Sequence, residues 1–172
     1  MNEALSIIMS RRSIRRYSPV EVSPDQVETL LRAAMAAPSA GNQQPWRFVV
    51  VRDREMLDAL ARTSPYAGLL ERSLLAIAVC GETVGERHPG YWVEDCSAAM
   101  ENLLLAAHAT GLGAVWLGYH PDPERAAAAA VLLRLPPSMR VMGIASIGVP
   151  AEEKPPSDRY DPSLVRFETW ED

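Results

Sequence analysis

Two rhythms of apolar residues alternate along the chain. Ser23-Pro24-Asp25-Gln26 opens a segment in which Val27, Leu30, Leu31 and Ala34 recur at helical spacing. Ser as N-cap, Pro at the first position and Gln at the capping-box position predict a helix from there to about Ala36. A shorter apolar stretch, Ala4 to Met9, predicts a first helix that ends near a run of arginines. Trp46 to Val51 is a continuous, β-branched run of strand character, and Leu74 to Cys80, Ala114 to Gly118 and Arg140 to Ile147 read the same way. Asp53 caps a helix through Leu60, and Pro123 to Leu133 forms another around Ala126 to Ala130. Tyr91 to Thr110 is the longest helical pattern and is rich in small residues, among them Ser97, Ala98, Ala99, Ala106 and Ala107. A helix apolar over most of its circumference is buried, either centrally or at a subunit interface. Strands and helices are interspersed without strict βαβ order. The expected class is α+β, a small sheet sandwiched by helices.

Chain breakers divide these elements. Pro38 to Pro45 is a polar loop with Gly, Asn and two Pro, and Gly81 to Gly90 is a second loop. After Pro150 the character changes: Pro155-Pro156, Pro162 and scattered charges predict an extended arm to Asp172, ending in Phe167 and Trp170. Such an arm either folds over its own subunit or wraps a partner. The 172 residues fit one domain, residues 1–172 with the arm at 150–172, and 48% hydrophobic against 23% charged residues is ordinary for a globular chain. No apolar run is long enough to span a bilayer, and Met1 to Leu5 lacks a signal-peptide pattern, so the expected location is cytoplasmic, away from membranes. Cys80 and Cys96 form no C-x-x-C pair and read as packed thiols; His88, His108 and His120 show no zinc spacing, so no metal is expected.

Charge changes the picture. The formal net charge is -5, yet Arg11, Arg12, Arg15 and Arg16 crowd around Ser13 and Ile14. The cluster is either a solvated helix end, offsetting the helix dipole, or a clamp for an anion, since Arg suits bidentate recognition of phosphate. A sequence pI near 5.3 and a single basic cluster disfavour nucleic acid as the partner. Lys154 is the lone lysine among 17 basic residues, the rest being Arg.

Three segments together carry a resemblance. Arg11-Arg12-Ser13-Ile14-Arg15, then Ala37-Pro38-Ser39-Ala40-Gly41-Asn42-Gln43-Gln44-Pro45-Trp46, then Gly111-Leu112-Gly113-Ala114-Val115-Trp116-Leu117-Gly118, resemble the FMN-dependent nitroreductase family in order and spacing over nearly the whole chain. The resemblance implies a nitroreductase-like, mostly antiparallel sheet in a homodimer with FMN at the subunit interface. It implies a phosphate held by Arg11, Ser13 and a basic residue of the arm, with Arg12 beside them. Arg15 falls where the family places a cation near the pyrimidine edge of the flavin, where a positive charge raises the reduction potential. Pro38, Ser39, Ala40 and Asn42 correspond to a loop that meets the flavin, typically that of the other subunit, with Gln44 in the same loop. Leu117 and Gly118 correspond to backbone that approaches the N5 and O4 region, where glycine admits a close contact.

The chain also departs from its relatives. Many carry a polar or acidic residue where Leu117 stands. Relatives often read Pro-Lys-x-Arg where this chain has Pro156-Ser157-Asp158-Arg159, so Arg159 keeps a phosphate role, and Lys154 is either the substitute for the lysine or a solvated surface lysine. Trp46 and Trp116 sit in apolar strands and are expected in the core. Asp95, Glu101 and Asn102 are odd in an apolar helix, and cross-subunit hydrogen bonds are the expected account. The implied activity is ping-pong hydride transfer from NADH or NADPH through FMN to a small-molecule acceptor, a nitroaromatic, quinone or related compound. No side chain needs to act as nucleophile. A specialised reaction on the same fold, such as dehalogenation or flavin fragmentation, or a non-catalytic flavin-binding redox module, stays open. Tyr66, Arg87 and His88 are candidates for tuning substrate choice.

Overall fold

The computed structural model describes residues 2–170; Met1 and the last two residues of the arm, Glu171 and Asp172, lie outside the described residues. Five α-helices and four strands follow in the order α1 (Glu3–Ser10), α2 (Pro24–Met35), β1 (Trp46–Val51), α3 (Arg54–Ala61), β2 (Leu75–Glu82), α4 (Trp92–Ala109), β3 (Gly113–Gly118), α5 (Pro123–Leu132) and β4 (Met139–Gly148). Short 3₁₀ turns cover Ala40–Asn42, Gly68–Arg72 and Pro162–Leu164. The strands form one antiparallel sheet in the order β1-β2-β4-β3.

The helix starts use the chemistry read from the sequence. Gln26 N–H donates to Ser23 Oγ at 3.2 Å while Ser23 N–H donates to Gln26 Oε1 at 2.9 Å, closing the capping box of α2. Asp53 and Asp122 cap α3 and α5 by accepting from Met56 N–H and Arg125 N–H. Each cap satisfies a donor that the first helical turn leaves without a partner.

The central strands bury both faces, so the period of two sorts their side chains into separate cores. On β2, Leu75, Ile77 and Val79 join Leu30 of α2 and Cys96, Met100 and Leu103 of α4. The alternate residues Ala76, Ala78 and Cys80 join Leu57 and Leu60 of α3, Leu70 and Ala129 of α5. The sheet therefore lies between an α2/α4 layer and an α3/α5 layer, as the α+β expectation required. Each buried Leu or Ile contributes about 1.5–3 kcal/mol, so these two layers carry most of the stability. Both cysteines are buried free thiols, pushed up to about 12 by loss of solvent. Trp46 is buried in the core and Trp116 packs half-buried against it. Among the described residues, no helix is long and apolar enough to cross a membrane.

Candidate functional site

Arg11 is the C-cap of α1, its N–H donating to the Ile7 carbonyl at 3.0 Å, and the other arginines lie beyond the helix. α1 stops at Ser10, and Arg11 turns the backbone into extended conformation (ψ 130°). Ser13 then bridges Ala114 in parallel, and Ile14 N–H donates to the Ala114 carbonyl at 3.0 Å, laying the segment along the edge of β3. A Cβ on Gly113 would meet Ile14 Cγ2 at 2.7 Å, so this approach needs glycine. Tyr17 bridges Pro150, and Ala151 N–H donates to the Arg16 carbonyl at 2.9 Å, which brings the start of the arm alongside the arginines.

Two side chains of the arm finish the cluster. Glu152 Oε1 accepts from Arg15 N–H at 2.6 Å and Arg16 N–H at 3.3 Å, and pairs with Lys154 Nζ at 3.2 Å. Those contacts, the Arg15 N–H foremost, hold its carboxyl below the usual glutamate range. Lys154 Nζ donates to the Ser13 carbonyl at 2.7 Å, so this lysine is fixed rather than solvated. Together Arg11, Arg12, Ser13, Arg15, Lys154 and Arg159 line a cavity of about 210 Å³ that contains five cationic side chains and no carboxylate. Ser157, at the family's lysine position, does not line it. Glu101 of α4 engages Arg11 through Nε at 3.2 Å, outside the terminal fork that binds a phosphate bidentately.

A second cavity of about 450 Å³ shares Arg15 and Lys154 with the first and adds Arg16, Arg72, Gly68 and Leu69 together with two carboxylates, Glu71 and Glu152. Sequence reasoning missed Gly68 and Leu69. The only signal was the turn composition around Ser64-Pro65 and Gly68, which marks a loop but not what it approaches.

The Pro38 to Trp46 loop lies elsewhere in the same chain. Gly41 takes positive φ (53°) freely, whereas Asn42 and Gln44 (55° and 49°) are strained there and are held by their neighbours. Asp95, 4% exposed, accepts from Ala40 N–H and from Gln43 Nε2, each at 2.8 Å. Ser39 Oγ accepts from Gln44 N–H, and Asn42 Oδ1 from Gln44 Nε2. None of Pro38, Ser39, Ala40, Asn42 or Gln44 lines either arginine cavity. Helix α4 sets the separation: Ser10 bonds His108 at 2.7 Å, and His108 stands about 20 Å along the helix from Asp95.

Asp95, Glu101 and Asn102, for which cross-subunit hydrogen bonds were the expected account, find partners without a second subunit. Each has a partner in its own chain: Asp95 in the loop, Glu101 in Arg11, and Asn102 Nδ2 donating to the Ala33 carbonyl at 3.1 Å. The sequence alone could not pair residues so far apart in number.

The third segment ends β3. Leu117 is 4% exposed and its side chain belongs to the α3/α5 core, so only its backbone can meet a ligand. Gly118 is exposed, and a Cβ placed on it would find no atom within 4 Å. From Ala114, beside Ser13, to Gly118 the strand rises about 13 Å. The cation-lined cavity at the Ser13 end suits an anion such as a phosphate.

Comparison with known proteins agrees with this geometry. The model of the Nitroreductase family matches residues 8–72 and 75–149. A protein of Archaeoglobus fulgidus, provisionally named an NADH dehydrogenase/NAD(P)H nitroreductase, is 45% identical over 99% of this chain and 100% of its own length. A crystal structure of a similarly named protein from Parabacteroides distasonis superposes with a TM-score of 0.95 at 38% identity, covering 99% of this chain and 100% of that one. A nitroreductase of provisional name from Desulfovibrio desulfuricans, solved in complex with FMN, gives 0.86 at 35% identity over 99% of each chain. The arginine segment, the strained loop and the glycine strand end therefore sit on a known scaffold: this chain belongs to the nitroreductase family.

Proposed function

We propose that this protein is an NAD(P)H-dependent FMN oxidoreductase that reduces nitroaromatic, quinone or related small acceptors as a homodimer. The observation that carries the reading is the cavity in which Arg11, Arg12, Ser13, Arg15, Lys154 and Arg159 converge with no carboxylate among them. The FMN-bound relative and the names of the NAD(P)H-linked relatives support the same chemistry.

Arg11, Arg12, Ser13, Lys154 and Arg159 hold the phosphate by charge-assisted bonds, and Glu101 keeps the Arg11 fork turned to it. FMN, when bound, supplies a centre that takes a hydride from NADH or NADPH and then gives up two electrons to the acceptor. Arg15 brings a positive charge to the cavity of the Gly68–Leu69 turn, where, beside the carboxylates Glu71 and Glu152, it favours added negative charge on a bound ring. Leu117 and Gly118 offer main chain without a side chain in the way. No side chain acts as nucleophile, and solvent supplies the proton to the acceptor.

A second copy completes the site. Leu5, Ile8 and Met9 of α1 are 47%, 56% and 59% exposed, an apolar face that a monomer would leave in water. Phe167 and Trp170 at the end of the arm are 83% and 67% exposed, which favours an arm reaching a partner over one folded on its own subunit. In the dimer, Pro38, Ser39, Ala40, Asn42 and Gln44 meet the partner's cofactor.

The test is direct. The protein purifies yellow, its absorption bleaches on adding NADH or NADPH and returns in air, and gel filtration gives a dimer. A colourless protein that FMN does not restore, or an FMN-loaded monomer, would sink the reading.

A further inference from the structure

A cavity of about 800 Å³ lies along α5 and shares no residue with either arginine cavity. Its walls are largely apolar. Ala127, Ala130 and Val131, one face of α5, line it together with Met139 and Val141 of β4 and the indole of Trp92. Trp92 is held in place: it packs on Gly81, where a Cβ would collide with its ring, and the His120 ring stands edge-on at 5.1 Å. Pro121, Pro123, Pro136 and Pro137 also line the cavity. Proline holds φ fixed and donates no N–H, so this part of the wall is stiff and poor in polar groups. The volume is that of a small-molecule site.

The charge is one-sided. The one carboxylate in the lining, Asp122, spends both oxygens on Arg125: Oδ1 accepts its N–H at 3.0 Å and Oδ2 pairs with Nη2 at 2.8 Å. Two guanidiniums line the same cavity. Arg140 donates Nη1 to the Pro137 and Met139 carbonyls at 2.6 and 3.0 Å, which fixes the group and leaves its other nitrogens open. Arg134 is the more telling of the two. α5 closes with Arg134 N–H donating to the Val131 carbonyl at 3.1 Å and Leu135 N–H to the Ala130 carbonyl at 2.9 Å. That pairing puts a left-handed residue just past the helix, a place usually taken by glycine. Arg134 occupies it at φ 53°, where a Cβ is strained. Its exposed side chain has no hydrogen-bond or ion-pair partner among the described residues, so no contact of the guanidinium within the chain offsets the strain.

We propose that this cavity is a second ligand site, for an amphipathic monocarboxylate. The apolar body lies along α5, the carboxylate pairs with Arg134, and Arg140 adds positive charge to the same cavity. A wall stiffened by prolines costs little to order when the ligand enters. The site is separate from the phosphate clamp and does not depend on the oxidoreductase reading.

Calorimetry on the full-length protein, loaded with FMN, tests it with butanoate, hexanoate, octanoate and 1-octanol. Each added methylene tightens carboxylate binding by up to about fourfold, and octanoate binds more tightly than octanol. Arg134→Gly separates binding from folding. It raises the melting temperature by about 2–4 °C, because glycine relieves the strain, yet weakens octanoate about two- to fivefold and leaves octanol unchanged. Ala127→Trp, on the exposed face of α5, fills the cavity and removes binding of both. Three results overturn the proposal. One is an affinity that does not change with chain length. Another is an Arg134→Gly protein that melts higher but binds octanoate as the wild type does. The third is octanoate that binds only once Phe167→Ser and Trp170→Ser are both introduced, which would assign the cavity to the arm of a second copy. Displacement of octanoate by inorganic phosphate would place it in the arginine clamp and overturn the proposal as well.

Discussion

Single residues decide whether the cation cluster works as an anion site. Arg11 is held by Glu101 through Nε and contributes to the cavity that also contains Arg12 and Arg159. Losing one charge-assisted contact of this kind costs about 1.5–3 kcal/mol. Arg11→Ala should therefore weaken FMN roughly ten- to hundredfold. Dialysis followed by flavin absorbance checks it, and full yellow colour in the variant would remove Arg11 from the clamp. Glu152 acts on the same cluster from the arm. Its folded-state pKa is depressed, so its contribution is complete above the ordinary glutamate range and is lost as pH falls through the folded value. Glu152→Gln should lower the melting temperature near neutral pH, with the gap to the wild type closing under acid. Melting curves recorded from pH 7 down to about 3 read this directly, and a gap that stays constant would refute it.

At the scale of elements, the regular parts were legible and the long-range contacts were not. The Ser23 capping box, the alternation on β2 and the small-residue character of α4 are local patterns, and each corresponds to an observed element. The family pattern pointed to Arg11, Ser13 and Arg159 as neighbours, and they line one cavity, whereas it gave the lysine's place to Ser157 and set Arg15 apart, and the cavity instead takes in Lys154 and Arg15. What stayed hidden depends on pairs distant in sequence. Gln43, to which the sequence pattern gave no role, anchors the loop to α4 together with the Ala40 N–H, both donating to Asp95. Gly68 and Leu69 reach the Arg15 cavity from a turn whose composition marks only a loop. Glu101 and Asn102 looked like interface residues because an apolar helix gives no sign of where its polar side chains find partners. The Asp95 anchor predicts a clean result. Asp95→Ala leaves Ala40 N–H and Gln43 Nε2 without their buried acceptor, at a cost of about 3 kcal/mol. Urea unfolding followed by circular dichroism should show it, with Asp95→Asn losing less because one acceptor oxygen remains. Equal stability of Asp95→Ala and wild type would mean that the loop does not need its carboxylate.

The whole molecule is arranged around α4. Near one end this helix holds the strained loop through Asp95, and further along it holds the arginine segment through Glu101 and His108. The exposed face of α1 and the exposed aromatic end of the arm lie outside the two cores. A rigid helix that keeps a chain's own loop away from its own arginines has a genetic consequence. In a dimer whose sites each take the clamp from one chain and the loop from the other, two defective alleles can rescue each other. A chain with Arg11→Ala and a chain carrying a disrupted loop, such as Ser39→Trp, would each form homodimers with two damaged sites. Mixed in one dimer, they put both lesions into one site and leave the other intact. Co-expressed with distinct tags and purified through both, that heterodimer should bind about one FMN per pair and recover roughly half of the wild-type turnover. Two damaged chains that stay inactive together would show that each protomer builds its site alone.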